Sequence, residues 1–234
     1  MSDEVLDILT HGEVTPQARF ANSSNQTILV AVELDGVVIE AVYKPEAGER
    51  PLWDFPTGLW RREIAAYVLS EQLGLHLVPV TIAREDAPFG PGSLQEMIDE
   101  DMESHYFTLR EDPVNHETFR SLAAFDVVAN NSDRKSGHVL KADSGLWAID
   151  HGLCFHEEDK LRTVIWEHAG EPLDEPLVEA IRHFAEHPDP RLHGLISRAE
   201  IDATCWRAST LVETGLLPEL DEDGPYPPYP WPLV

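Results

Sequence analysis

Apolar and polar residues alternate in part along Thr27–Leu34 and again along Val37–Lys44, the pattern of half-buried strands, and Asp35-Gly36 between them suits a tight hairpin turn. Val14–Phe20 reads as a third strand, so three antiparallel strands are expected near the start. From Leu59 to Leu73 the period changes: Ile64, Ala65, Val68, Leu69 and Leu73 fall on one helical face, and Gly74 is placed to close the helix. Leu77–Ala83 and Ser93–Ile98 read as two further strands around the Gly90-Pro91-Gly92 turn. Five strands and one helix thus make a first lobe over residues 1–98.

An acidic stretch with Pro113 separates this lobe from a mainly helical second one over residues 99–224, with the boundary near Asp99 to Asp112. His116–Ala129 is apolar almost all round, which marks a buried helix ending at Asn130-Asn131. Later helices are expected at Pro176–Glu186 and Arg198–Thr214. Residues 225–234 form a proline-rich tail that cannot be helical; extended polyproline II is expected, packed on the body or bound to a protein partner. The fold class is therefore α+β and two-lobed, an antiparallel sheet with one helix followed by a small, mostly helical lobe.

Composition narrows the setting. At 234 residues and 42% apolar content the chain can bury a full core. Its longest apolar runs are too short or interrupted to span a bilayer and its acidic start lacks a signal-peptide pattern, so a cytoplasmic protein is expected. Cys154 and Cys205 form no C-x-x-C pair and are expected to be reduced. Seventeen basic against 43 acidic residues give a net charge of −26, which repels nucleic acid and anionic lipid at long range. Neither is an expected partner. Only four lysines occur, Lys44, Lys135, Lys141 and Lys160, and the first two lie in the segments that carry the candidate chemistry.

That chemistry centres on a second hairpin. His138–Ala142 and Leu146–Asp150 read as strands around a three-residue turn, Asp143-Ser144-Gly145, which pairs Ala142 with Leu146 and sets His138 opposite Asp150. Asp133, His138 and Asp150 would then cluster where one metal ion touches both strand ends. A one-residue slip would send Asp150 to the other face. Phosphoryl transfer needs a cation on the nucleotide phosphates, a metal held by carboxylates or amides, and a carboxylate to accept the acceptor's proton. Lys44 ends a strand and Glu63 lies on the following helix, within reach for an ion pair. The link Ala21–Gln26 offers amides and hydroxyls to a phosphate.

The stretches Val42-Tyr-Lys-Pro45, Arg50-Pro-Leu-Trp-Asp-Phe-Pro56, Arg61-Arg-Glu63, Phe89-Gly-Pro-Gly92, Asn130-Asn-Ser-Asp-Arg-Lys135 and Ile149-Asp-His-Gly152 resemble short actinobacterial phosphatidylinositol 3/4-kinase-like proteins, related to atypical kinases of the HipA type. The resemblance covers roughly residues 12 to 175 and implies a protein-kinase-like fold that binds ATP and a divalent metal, magnesium or manganese. It implies that Lys44 holds the α- and β-phosphates, that Glu63 orients it, and that Ser23, Ser24 and Asn25 line the phosphate loop. Gln95, Glu96 and Met97 would be the hinge facing adenine. Asp133 would be the catalytic base, Lys135 the clamp on the transferred phosphate, and Asp150 the metal-binding aspartate.

His138 stands where those kinases place an asparagine. A neutral imidazole suits zinc, manganese or iron better than magnesium. It would be a metal ligand beside Asp150, or leave that duty to Asn130 or Asn131, or mark a site that binds nucleotide without turning it over. The expected function is an ATP-dependent phosphotransferase acting on a hydroxyl of a protein or small molecule rather than a membrane lipid. The rivals are a nucleotide-binding pseudokinase and a metal-dependent hydrolase built on Asp133, His138, Asp150, His151 and His156. Asp126, inside an apolar helix, is expected to be a buried partner of Arg134.

Overall fold

The first hairpin turns on two residues with positive φ, Asp35 at 50° and Gly36 at 83°, the twist that continues the right-handed twist of its strands. It joins β2 (Ile28–Leu34) to β3 (Val37–Pro45), with Leu34 opposite Val37. β1 (Glu13–Arg19) pairs with β2 at the sheet edge and carries a bulge between Pro16 and Ala18, a position that tolerates a missing N–H. β4 (Thr81–Arg84) and β5 (Gly92–Glu96) complete an antiparallel sheet of order β1-β2-β3-β5-β4. This arrangement comes from a computed structural model, which describes residues 2–20, 25–221 and 227–233.

One helix at the start goes beyond the expected elements. α1 (Ser2–His11) buries Ile8 and Leu9 against the sheet, and Arg84 reaches over to donate to the carbonyls of Leu9 and Gly12 at its C-terminal end. The signal was present as Val5, Ile8 and Leu9, an i, i+3, i+4 stripe hidden by acidic neighbours. α2 (Leu59–Gln72) is entered through the Glu49 carboxylate, which accepts from Gly58 N and Trp60 N at 2.8 Å each. Its far end closes at Gly74, φ 67°.

The second half is built on α4 (His116–Ala129), whose buried residues include Phe119, Phe125 and Val128, and which stops at Asn130 in the left-handed region. A short helix α3 (Tyr106–Leu109) precedes it; α5 (Glu175–Glu186) and α6 (Arg198–Thr214) pack together behind. One continuous apolar core runs from Ile8 through both halves to Leu217. Among the described residues no helix is long and apolar enough to cross a membrane.

The second hairpin differs from expectation. β6 (Val139–Ala142) and β7 (Gly145–Ala148) turn on two residues, Asp143-Ser144, and Ala142 pairs with Gly145, not with Leu146. Gly145, at φ 132°, opens the returning strand instead of ending the turn. The register is therefore slipped by one and Val139 faces Ala148.

The proline-rich tail packs on the body. Pro228 O accepts from Thr163 N at 3.1 Å and from the Trp166 indole at 3.2 Å, and Leu233 O accepts from Ser136 N at 2.9 Å.

Candidate active site

The slipped register should have separated His138 from Asp150, yet the two meet. Asp150 lies beyond β7, and its φ of 61° turns the chain out of the strand direction, while Ser136–His138 form a 3-10 turn before β6. His138 Nε2 comes to 3.4 Å from Asp150 Oδ2. The cluster expected from strand pairing is thus assembled by irregular backbone at both ends of the hairpin.

Lys44 joins it from the sheet. Its Nζ lies 2.5 Å from Glu63 Oε1 and 2.9 Å from Asp150 Oδ1, so β3, α2 and the segment after β7 converge on one ammonium. Burial by itself would lower the Lys44 group, but the Asp150 and Glu63 carboxylates outweigh it and hold it above its ordinary value. Lys44 in turn holds the Asp150 carboxyl well below the usual range, against the effect of burial. Glu63 is pushed up by burial, which Lys44 only partly offsets. Its second oxygen accepts from His151 N at 2.9 Å.

Arg62, the neighbour of Glu63, fixes α2 to the second half. Its guanidinium donates to Cys154 O at 2.5 Å and to the Glu200 carboxylate on α6, both buried. At the other end of α2, Gln72 donates to His187 O and accepts from Asp189 N. A third tie joins Lys160 Nζ to Asp54 Oδ2 at 3.0 Å, beneath the rings of Trp53 and Phe55. Arg62 entered the sequence reading only within the Arg61-Arg-Glu63 stretch and without a role.

Asp133 sits on a loop held from below by a buried ion pair. Arg134 and Asp126, both inaccessible, meet through Nη2–Oδ1 at 3.0 Å and Nε–Oδ2 at 3.0 Å. Arg134 also donates to Ile149 O at 2.9 Å and contacts His151 Nε2 at 2.7 Å, tying the Asp133 loop to the Asp150 segment. Asp126 is the buried partner expected of it. Asn131 receives the N–H of Asp133 on its own side-chain oxygen and donates to Asp126. Asn130 holds Lys160 N and the carbonyls of His156 and Glu158. Both asparagine amides are committed to these bonds, so neither stands in for a metal ligand.

Asp133 itself is partly open, with Lys135 Nζ 3.0 Å from its Oδ2. Burial raises its carboxyl above the ordinary value, and Lys135 opposes the rise. His138 is pushed down to about 4, chiefly by burial, against the pull of Asp150. It is therefore neutral at pH 7. Its Nδ1 accepts from Lys135 N at 3.4 Å, which assigns the ring proton to Nε2, on the side of Asp150. In that tautomer the Nε2 proton faces the Asp150 carboxylate at 3.4 Å. Among the described residues no group of three or more His, Cys, Asp or Glu is placed to hold a metal ion. The hydrolase cluster does not form: His151 is buried against Arg134, and His156 packs edge-on to Phe55. What the site does offer is the half-exposed Asp150 carboxylate, which fits a hard divalent ion completed by phosphate oxygens and water.

The expected hinge residues are bonded within the first half. The Gln95 side chain is buried and donates to Thr81 Oγ1 at 2.8 Å, while the amides of Glu96 and Met97 are spent on Val80 O and Glu40 O. Glu96 and Met97 line a cavity of about 710 Å³ with Tyr67 and Trp147, to which Lys44, Asp133 and Asp150 contribute nothing. Asn25 accepts from Arg50 N at 2.9 Å and braces its own loop, and Ser23 and Ser24 lie outside the described residues.

The fold defined by these parts is kinase-like. Over 88% of this chain and 94% of the other, it superposes on the Helicobacter pylori proinflammatory kinase CtkA with a TM-score of 0.53 at 11% identity. Hydra Fam20, solved with sugar, gives a TM-score of 0.53 at 13% identity over 91% of this chain and 88% of that one. At such identity the likeness is one of fold. The chain belongs to the family of Protein Rv2133c of Mycobacterium tuberculosis, with which it is 37% identical over 273 aligned positions, covering 99% of this chain and 96% of the relative. No family model matches the chain.

Proposed function

We propose that this protein is an ATP-dependent phosphotransferase of the atypical, phosphatidylinositol-kinase-like kind, acting on a hydroxyl of a soluble acceptor. The observation that carries the reading is the division of charge in the cleft: Lys44 is ion-paired with Glu63 and Asp150 in one set, and Asp133 is ion-paired with Lys135 in a second.

In this reading Lys44, fixed by Glu63, clamps the nucleotide phosphates, and its ammonium stays charged across the working pH range. Asp150 would hold a divalent ion, magnesium or manganese, which when bound neutralises charge on the phosphates. His138 stands beside Asp150 with its Nε2 proton facing the carboxylate. Asp133 orients the acceptor hydroxyl and takes its proton, and the burial that raises its carboxyl makes it a better base than an exposed aspartate. Lys135, within 3.0 Å of Asp133, is set to meet the phosphoryl group as it arrives. The net charge of −26 supports a soluble acceptor over an anionic bilayer.

The nucleotide-binding pseudokinase is kept as a second reading by one observation, the histidine in the place of an asparagine ligand. Thermal shift and ADP formation with magnesium and with manganese separate the two. Stabilisation by ATP with metal, lost in Asp150→Ala, together with ADP formation lost in Asp133→Ala, is the expected result. Stabilisation without ADP formation under any condition favours the pseudokinase, and no stabilisation with either metal ends both readings.

A further inference from the structure

Arg162 is tied by its backbone to residues on both sides of the candidate base. Its N–H donates to Asn131 O at 2.9 Å and its carbonyl accepts from Arg134 N at 3.0 Å, two backbone bonds that bracket Asp133. Thr163 continues the pairing as a parallel bridge to Arg134. The half-buried Arg162 side chain has no hydrogen bond or ion pair among the described residues, and its Nε is buried without a partner. Arg62, Arg84, Arg120, Arg134, Arg191 and Arg198 each meet a carboxylate, whereas Arg162 does not among the described residues. A buried donor left unsatisfied is costly, and a fold retains one where a ligand supplies the partner.

The direction of this cation follows from its field. Burial raises the Asp133 carboxyl; Lys135 opposes the rise, and so, more weakly, does Arg162. Two cations therefore act on the carboxylate that would accept the acceptor's proton. The tail borders the same corner, held at Thr163, next to Arg162, and at Ser136, next to Lys135.

We propose that Arg162, together with Lys135, forms an anion subsite beside Asp133, so that the acceptor is a small molecule carrying a phosphate or carboxylate near its hydroxyl. This inference rests on the phosphotransferase reading for the word acceptor, and the anion subsite is tested without it.

The test titrates inorganic phosphate into the full chain and follows melting temperature, for the wild type and for Arg162→Ala, Arg162→Lys and Lys44→Ala. The wild type should be stabilised, Arg162→Ala should need about tenfold more phosphate or beyond for the same shift, Arg162→Lys should fall between, and Lys44→Ala should still be stabilised by phosphate. Melting of each variant without phosphate shows that it is folded. Then ADP formation with magnesium and ATP is compared for glycerol, glycerol 3-phosphate and glycerate. Preference for either anion over glycerol, lost in Arg162→Ala, supports the subsite, and the two anions separate a phosphate from a carboxylate acceptor. Phosphate binding that is absent, that survives Arg162→Ala, or that depends on Lys44 alone overturns it. Arg162-dependent phosphate binding without any response to ATP leaves the subsite standing and removes the phosphotransferase reading.

Discussion

The two flanks of the cleft are built to different standards. On the α2 flank, Glu63 is 3% exposed and bonded through both oxygens, Arg62 spends its guanidinium on Cys154 and Glu200, and Lys44 lies between two carboxylates. On the other flank Asp133 shares one lysine, Arg162 has no partner among the described residues, and Asp150 is half exposed. The first flank is complete without a ligand; the second is not. On the proposed reading, the difference places pre-organisation with the nucleotide clamp and leaves unsatisfied polar groups on the acceptor side.

The two flanks share a base, and removing it should have the largest effect. Asp126→Ala leaves the fully buried Arg134 without its ion partner and should cost about 3–5 kcal/mol in urea unfolding. It should also free the Asp133 loop from the Asp150 segment, since Arg134 bonds both. Next comes Glu200→Ala on the closed flank. It strips Arg62 of its carboxylate, should destabilise by about 1–3 kcal/mol, and should weaken ATP binding because α2 loses a tie beside Glu63. Equal ATP affinity in this variant would mean that the closed flank does not depend on its strut.

Smaller effects sharpen the contrast through pH. Asp150 is depressed in the folded state, so its contribution is fully present above the unfolded value of about 3.9 and is lost as pH falls through the lower folded value. Asp150→Asn should therefore show a shallower loss of stability below about pH 4 than the wild type. Asp133 is raised, so turnover should climb with pH through a value above that of a free aspartate. Its ionisation should favour the unfolded chain as pH rises through the same range. The two carboxylates are predicted to titrate with opposite sign.

Much of this was legible in the chain before its structure. The strand pair around Asp35-Gly36, the helices at His116–Ala129 and Arg198–Thr214, and the Arg134–Asp126 partnership follow from period, turn chemistry and a lone carboxylate among apolar neighbours. What local rules could not supply was backbone that breaks them. The hairpin register failed by one residue because Gly145 serves the strand and not the turn, and the positive φ of Asp150 restored the contact that the slip should have removed. Nor did spacing show that the Gln95 side chain turns inward to Thr81 while the Glu96 and Met97 amides bond Val80 and Glu40. Arg62 and Arg162 draw their significance from long-range partners, present in one case and missing in the other, and spacing along the chain carries neither.

The most direct test of the central claim compares Asp133→Asn with the wild type under saturating ATP and magnesium, reading bound nucleotide and ADP formation in the same sample. Nucleotide binding should be unchanged, because Asp133 lies on the open flank, while ADP formation should fall by about 10²–10⁴-fold, the usual worth of a positioned general base. ADP formation equal to that of the wild type would contradict the account, because the residue assigned to the proton would then carry none of it.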